Sequence, residues 1–256
     1  MKVGVQLYTV RDELEKNFVG TLEKIAELGY LGVEFAGYGG LTSAEMKSEL
    51  DRLGLVAAGS HVSLDRLLHD AEGEIRYIKE VGAKYISIPF VGDEWRNENW
   101  PKLFETIKEI APAANAQGIT LCYHNHDFEL TQQTSGIPVL DAMMEAIDSS
   151  LLSLELDACW VHYAGYSPVS YIDKYSSRLP IVHFKDVKKQ NEGPLTVELG
   201  QGEVDLKAIA QAARKTNAEW LLVEQDFCQK PSLESIANSI QWMKDNLSDM
   251  NLVYRA

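Results

Sequence analysis

Short apolar runs recur along the chain, and each is followed by a stretch whose apolar residues keep a helical period. The runs are Lys2–Tyr8, Leu31–Ala36, Leu55–His61, Tyr85–Phe90, Ile119–His124, Leu152–Asp157, Ile181–Lys185 and Trp220–Glu224. They are nearly continuous rather than alternating, as parallel strands covered on both faces are. Between them, Leu22, Ile25 and Leu28 share one helix face. So do Leu103, Ile107, Ile110 and Ala114, then Leu206, Ile209 and Ala213, and finally Leu233, Ile236, Ile240, Met243 and Leu247. Thr42 and Glu45 have the spacing of a capping box. Gly29, Gly54, Gly82 and Gly118 each stand between a helical pattern and the next strand, where a left-handed residue closes a helix at least cost to glycine. The later units use Leu179-Pro180 and Asn217-Ala218 as connectors.

Eight such units predict either a closed (β/α)8 TIM barrel or an open doubly wound α/β sheet. No GxGxxG or GxxxxGK[ST] segment follows the first strand, so the barrel is favoured, as a single domain over residues 1–256. Barrel chemistry gathers at the carboxyl ends of strands. Gln6 lies late in the first run, Glu34 ends the second and His61 the third. Tyr123, His124, Asn125 and His126 end the fifth, and Glu155 and Asp157 the sixth. His183, Lys185 and Asp186 end the seventh, with Glu224 and Asp226 at the eighth. Residues two apart share a strand face, so His124 pairs with His126, Glu155 with Asp157, His183 with Lys185, and Glu224 with Asp226.

Imidazoles and carboxylates converging from four neighbouring strands suit a divalent Mn, Zn, Co or Fe ion better than calcium. Asp157, His183 and Glu224 carry the strongest signal, because carboxylates facing a barrel mouth are costly without a cation or partner. Glu34 is expected to be solvated or paired with a lysine, His69 to lie on a helix surface, and Cys122 to fill the barrel. Trp160 reads either as core packing or as an apolar wall under a sugar ring, and Trp95 and Trp100 as exposed aromatics of an interface or lid.

Composition narrows the partners. The chain has 256 residues, 45% of them hydrophobic, and 38 acidic against 24 basic side chains for a net charge of -14. Such a surface repels phosphate backbones, which argues against nucleic acid. No signal peptide and no long apolar run is present, so the expectation is a cytoplasmic protein without membrane attachment. Cys122, Cys159 and Cys228 form no CxxC pair, consistent with reduced thiols. A homo-oligomer remains open.

The segments YHNHDFEL (Tyr123–Leu130), LELDACW (Leu154–Trp160), IVHFKDV (Ile181–Val187), ELGQGEVD (Glu198–Asp205) and LLVEQD (Leu221–Asp226), with the opening GVQLYTVRDEL, resemble the xylose-isomerase-like TIM barrels. That group includes sugar phosphate isomerases and epimerases, ketose 3-epimerases, inosose dehydratase and, more remotely, endonuclease IV. The resemblance implies a single metal held by Asp157, His183, Glu224 and one group at the end of the fifth strand. The family has glutamate there. This chain has His124, with His126 and Glu129 as the other candidates.

The resemblance also implies catalytic roles for Glu224, Glu155, His126 and Lys185, and substrate contacts for His61, Trp160, Asp186, Gln6 and Glu129. Epimerases of this group use two opposed metal-bound glutamates, a pair that His124 leaves incomplete. His126, Glu129 or Glu155 would supply the second group. Lys185 would bind a substrate oxygen or stabilise an enolate, and Asp186 would orient His183 or Lys185. The expected function is a metal-dependent isomerase or epimerase of a sugar, sugar phosphate or related keto-polyol. The YHxH pattern resembles the inosose dehydratase branch and gives the alternative, a lyase of a keto-inositol or keto-sugar. A non-catalytic sugar-binding barrel or a DNA phosphodiesterase stands further off.

Overall fold

A computed structural model describes all of residues 1–256, and its eight parallel strands close into one barrel. They are β1 (Lys2–Gln6), β2 (Gly32–Phe35), β3 (Val56–His61), β4 (Tyr85–Ile88), β5 (Thr120–His124), β6 (Ser153–Asp157), β7 (Ile181–Phe184) and β8 (Trp220–Val223). Each pairs with its neighbours in sequence, and β1 closes the ring on β8 with Val5 opposite Val223. All eight runs read from the sequence are strands. No helix is long and apolar enough to cross a membrane.

The barrel interior changes character with height. Ala58, Tyr85, Cys122, Ile181, Trp220 and Leu222 form a small apolar cluster of their own, separate from the 69-residue core. Glycines make room for it: a Cβ on Gly32 would lie 2.5 Å from the Trp220 ring, and one on Gly4 would lie 2.7 Å from Leu222. Two residues further along each strand the same face turns polar. Trp220 and Leu222 lead to Glu224, Cys122 to His124, Ile181 to His183, and Tyr85 to Ser87. The two-residue period of a strand therefore stacks a polar layer directly on the apolar plug.

Outside the barrel, the helices end as their sequences dictate. Gly29, Gly54 and Gly82 cap Phe18–Leu28, Ser43–Leu53 and Leu64–Val81 in the left-handed region, with φ of 98°, 65° and 86°. Thr42 and Glu45 form the full capping box. Trp100 corrects the reading of an exposed lid aromatic: it is fully buried at the start of helix Trp100–Ala116, and Trp95 packs partly buried against the same core. Asp186–Gln190 and Gly193–Val197 form an antiparallel hairpin after β7 that the sequence reading lacked.

Candidate metal centre and barrel mouth

At the top of the inward ladders, His124, Asp157, His183 and Glu224 are all buried, and one ligand atom from each lies within 4.8 Å of the others. Local structure fixes their aim. Asp157 caps helix Ala158–Tyr163: its Oδ1 accepts the Trp160 N–H at 3.0 Å, and its own N–H is held by Asn125 Oδ1 at 3.0 Å. Its Oδ2 lies 2.9 Å from the Lys185 ammonium and 3.9 Å from His124 Nε2, too far for a hydrogen bond to the ring. His183 Nδ1 lies 2.8 Å from Glu224 Oε2.

The Lys185 ammonium, fully buried, sits among three carboxylates: Asp157 at 2.9 Å, Glu224 at 2.8 Å and Asp226 at 2.9 Å. Burial alone would discharge it, but these carboxylates outweigh burial and hold its pKa well above the usual lysine value. Burial likewise opposes ionisation of Glu224, yet Lys185 and His183 keep it well below the ordinary carboxylate range.

A second polar layer lies below. Glu155 Oε1 is 2.6 Å from His61 Nε2 and 3.1 Å from both His124 Nδ1 and His183 Nε2, while Ser87 donates to its other oxygen. Glu34 Oε2 receives Gln6 Nε2 at 2.7 Å and lies 2.8 Å from His183 Nε2. The expectation for Glu34 is thereby overturned: it is fully buried among imidazoles, with no lysine and no solvent. A bulge sets this up. Ala58 is the extra residue where β3 pairs with β2, and the bare Cα of Gly59 leaves space for the carboxyl. Burial, then repulsion from Glu155, raises Glu34 to about 7 against the pull of His61 and His183. Glu155 is driven the other way, because His183 and His61 outweigh its burial and hold it well below the usual range.

A cavity of about 540 Å³ opens above this centre, and His61, His124, His126 and Glu224 line it. Burial first, then the neighbouring His124, pushes His126 well below the usual histidine value, and its Nδ1 is buried without a partner. Asp226, expected beside Glu224 at this rim, lines the cavity too, as do Tyr8, Phe90 and Arg66, which were not anticipated. Arg66 is engaged by Glu74, its Nε 2.8 Å from Oε1.

Several expected site residues stand elsewhere. Gln6 and Glu155 are fully buried below the cavity and do not line it. Glu129 is buried and does not line the cavity, accepting the Tyr123 hydroxyl at 2.7 Å and the His126 N–H at 2.8 Å, so it shapes the loop carrying His126. Asp186 orients neither His183 nor Lys185. Its carboxylate accepts the backbone N–H groups of Val187, Gly200, Gly202 and Val204 at 2.8–3.1 Å. That clamp explains Gly202 of the ELGQGEVD segment, since a Cβ there would lie 2.1 Å from Asp186 Oδ1. Trp160 is buried with its ring 5.2 Å from the Lys185 ammonium, and packs beside the centre without lining the cavity.

Two imidazoles and two carboxylates, each with a ligand atom within 4.8 Å of the others, form a donor set that fits a divalent ion. Fold and donor set together define an α/β barrel with a candidate metal centre at its carboxyl rim. The chain matches the xylose isomerase-like TIM barrel family over residues 22–246, and it belongs to that family. It is 26% identical to an inosose dehydratase of Clostridium beijerinckii (strain ATCC 51743 / NCIMB 8052), over 89% of this chain and 87% of that protein. Against the inosose dehydratase of Clostridium perfringens (strain 13 / Type A) it is 29% identical, over 57% of this chain and only 52% of the relative's length. Among solved structures it superposes on a sugar phosphate isomerase/epimerase from Parabacteroides distasonis ATCC 8503 with a TM-score of 0.82, at 19% identity over 95% and 97% of the two chains. An IolI protein with a bound zinc atom gives 0.79, at 16% identity over 98% and 99%.

Proposed function

We propose that this chain is a metal-dependent enzyme that removes a proton from carbon beside the carbonyl of a sugar-like or keto-polyol substrate. The finer reading is a dehydratase of a keto-inositol or keto-sugar. One observation carries it: the cavity presents a single glutamate, Glu224, beside the uncharged His126, while Glu155 is buried behind the imidazoles. An opposed glutamate pair for inversion at carbon is therefore absent, whereas elimination needs only one base that later serves as an acid. The inosose dehydratase relatives support the same reading.

A divalent ion held by His124, Asp157, His183 and Glu224 would supply a Lewis acid beside the substrate carbonyl. His126, uncharged on the cavity wall, accepts the proton from carbon. The imidazolium so formed gives that proton to the departing hydroxyl. One C–H and one C–O bond break, a C=C bond forms and water leaves. Lys185 keeps Glu224 ionised and pairs with Asp157, and Tyr8 and Phe90 give the cavity apolar faces for ring carbons.

Isomerisation or epimerisation is the second reading. It shares the first step and returns the proton to carbon, and the presence of both His126 and Glu224 on the cavity wall favours it. Mass spectrometry on a panel of ketoses and keto-inositols separates the two, because only the dehydratase gives a product lighter by one water. Glu224→Gln is expected to abolish turnover, and His183→Ala to lose the metal. Wild-type metal content and turnover in both variants would refute the site.

A further inference from the structure

Resting on the keto-polyol reading above, we infer that the Arg66–Glu74 ion pair on the cavity wall sets which substrates the site takes: an uncharged polyol rather than its phosphate ester. The pair gives the far end of the substrate a hydrogen-bond donor with no spare positive charge. Arg66 is the one lysine or arginine lining the cavity that His124 and Glu224 also line. It stands in the first turn of the helix after β3. In the closed ring, β3 lies four strands from β7, which carries His183. Arg66 therefore meets the end of a bound molecule remote from the metal centre.

The charge of Arg66 is matched within the chain. Its Nε lies 2.8 Å from Glu74 Oε1, and its Nη2 contacts the same oxygen at 2.5 Å. Glu74 is fixed in turn. Tyr38 donates its hydroxyl to Oε2 at 2.8 Å, and the Tyr38 ring, 5.1 Å from the guanidinium, stacks on Tyr77 at 3.8 Å. The Glu74 side chain is 13% exposed against 41% for Arg66, so the acid is the anchored partner and the cation the presented one. No hydrogen bond within the chain uses Nη1, which is left to donate to a substrate oxygen. A hydroxyl accepts that hydrogen without penalty. A phosphate dianion at the same place also meets the Glu74 carboxylate behind the guanidinium, well within a screening length. Neighbouring groups add no cation. The first turn of helix Leu64–Val81 carries the acidic Asp65, and Ser63 Oγ already accepts the Arg66 N–H at 3.3 Å. On the β8 side, Lys185 is shared by Asp157, Glu224 and Asp226.

Two measurements on the full-length protein test this. Calorimetric titration of the metal-free protein with inorganic phosphate reads the cavity wall without any turnover. Wild type is expected to bind weakly, and Glu74→Gln about 10- to 100-fold more tightly once the opposing charge is gone. Adding Arg66→Met to that variant should remove the gain. Steady-state kinetics of the zinc- or manganese-loaded protein then compare a keto-polyol with its phosphate ester. In wild type the unphosphorylated compound is expected to have the higher kcat/KM. Arg66→Met should raise its KM about 3- to 10-fold, the loss of one hydrogen bond, with kcat changed less. Glu74→Gln should shift the preference toward the ester. A phosphate affinity that Glu74→Gln leaves unchanged would overturn the inference and leave the enzyme reading intact. So would a wild type that prefers the ester and loses that preference in Arg66→Met. The expected phosphate results without turnover of either compound would overturn the enzyme reading while supporting the charge-matched wall.

Discussion

Replacing Glu129 by glutamine tests how a buried carboxyl supports the His126 loop. Glu129 is fully buried, and burial raises it from 4.5 to about 7 even though the Tyr123 hydroxyl and the His126 N–H favour its charged form. The folded protein therefore holds this proton more tightly than the unfolded chain does. Its contribution to stability is whole below pH 4.5 and is lost as the pH rises through about 7. At about 1.4 kcal/mol per pH unit, the full loss is about 3 kcal/mol, with most of it between pH 5 and 8. Glutamine stays neutral, so Glu129→Gln lacks this dependence. It can still accept the His126 N–H while its amide donates to the Tyr123 oxygen. Urea denaturation of both proteins at several pH values gives the difference in stability, in which titrations common to both cancel. The wild-type advantage is expected to fall by about 2–3 kcal/mol from pH 5 to pH 8. A difference that stays constant within about 0.5 kcal/mol over that range would refute the account.

Asp186→Asn turns a donor toward the Gly200 and Gly202 amides that now bond Oδ2. It should cost about 3 kcal/mol in chemical denaturation, and a loss below about 1 kcal/mol would show that the clamp is dispensable. Lys185→Met removes the one ammonium shared by Asp157, Glu224 and Asp226. The metal-free variant should lose about 3–5 kcal/mol, and saturating zinc should recover part of that through binding to the folded state. An equal loss with and without zinc, read from thermal melts, would count against a cation site beside Lys185.

The barrel was legible because each unit announces itself several times over. Strand, helix face and terminal glycine agree at Gly29, Gly54 and Gly82, and the structure places each glycine in the left-handed conformation that its position requires. The hairpin after β7 was missed although Val187, Leu195 and Val197 flank a two-residue turn at Asn191 and Glu192, because Asp186 was assigned to chemistry instead of to strand pairing. Trp100 was misjudged for a related reason: its polar neighbours Asn97, Glu98 and Asn99 suggest exposure, whereas its ring begins a helix that packs on the barrel.

The site was legible in direction and illegible in depth. A period of two says that Glu155 and Asp157 share a face, but not that one strand step separates an oxygen next to the upper donor set from one sealed beneath two imidazoles. Depth depends on barrel curvature and on small residues across the interior. Gly59 and the bulge before it admit Glu34, and Gly4 and Gly32 let Trp220 and Leu222 fill the floor. The same geometry accounts for the polar load. Glu34, Glu155, His61 and His183 would each be costly alone in an apolar barrel, but stacked on the plug they satisfy one another. On this view the carboxylates sealed below the mouth and the four candidate ligands form one structure: the rings of His124 and His183, which meet Asp157 and Glu224 on one side, are held on the other by Glu155 and Glu34.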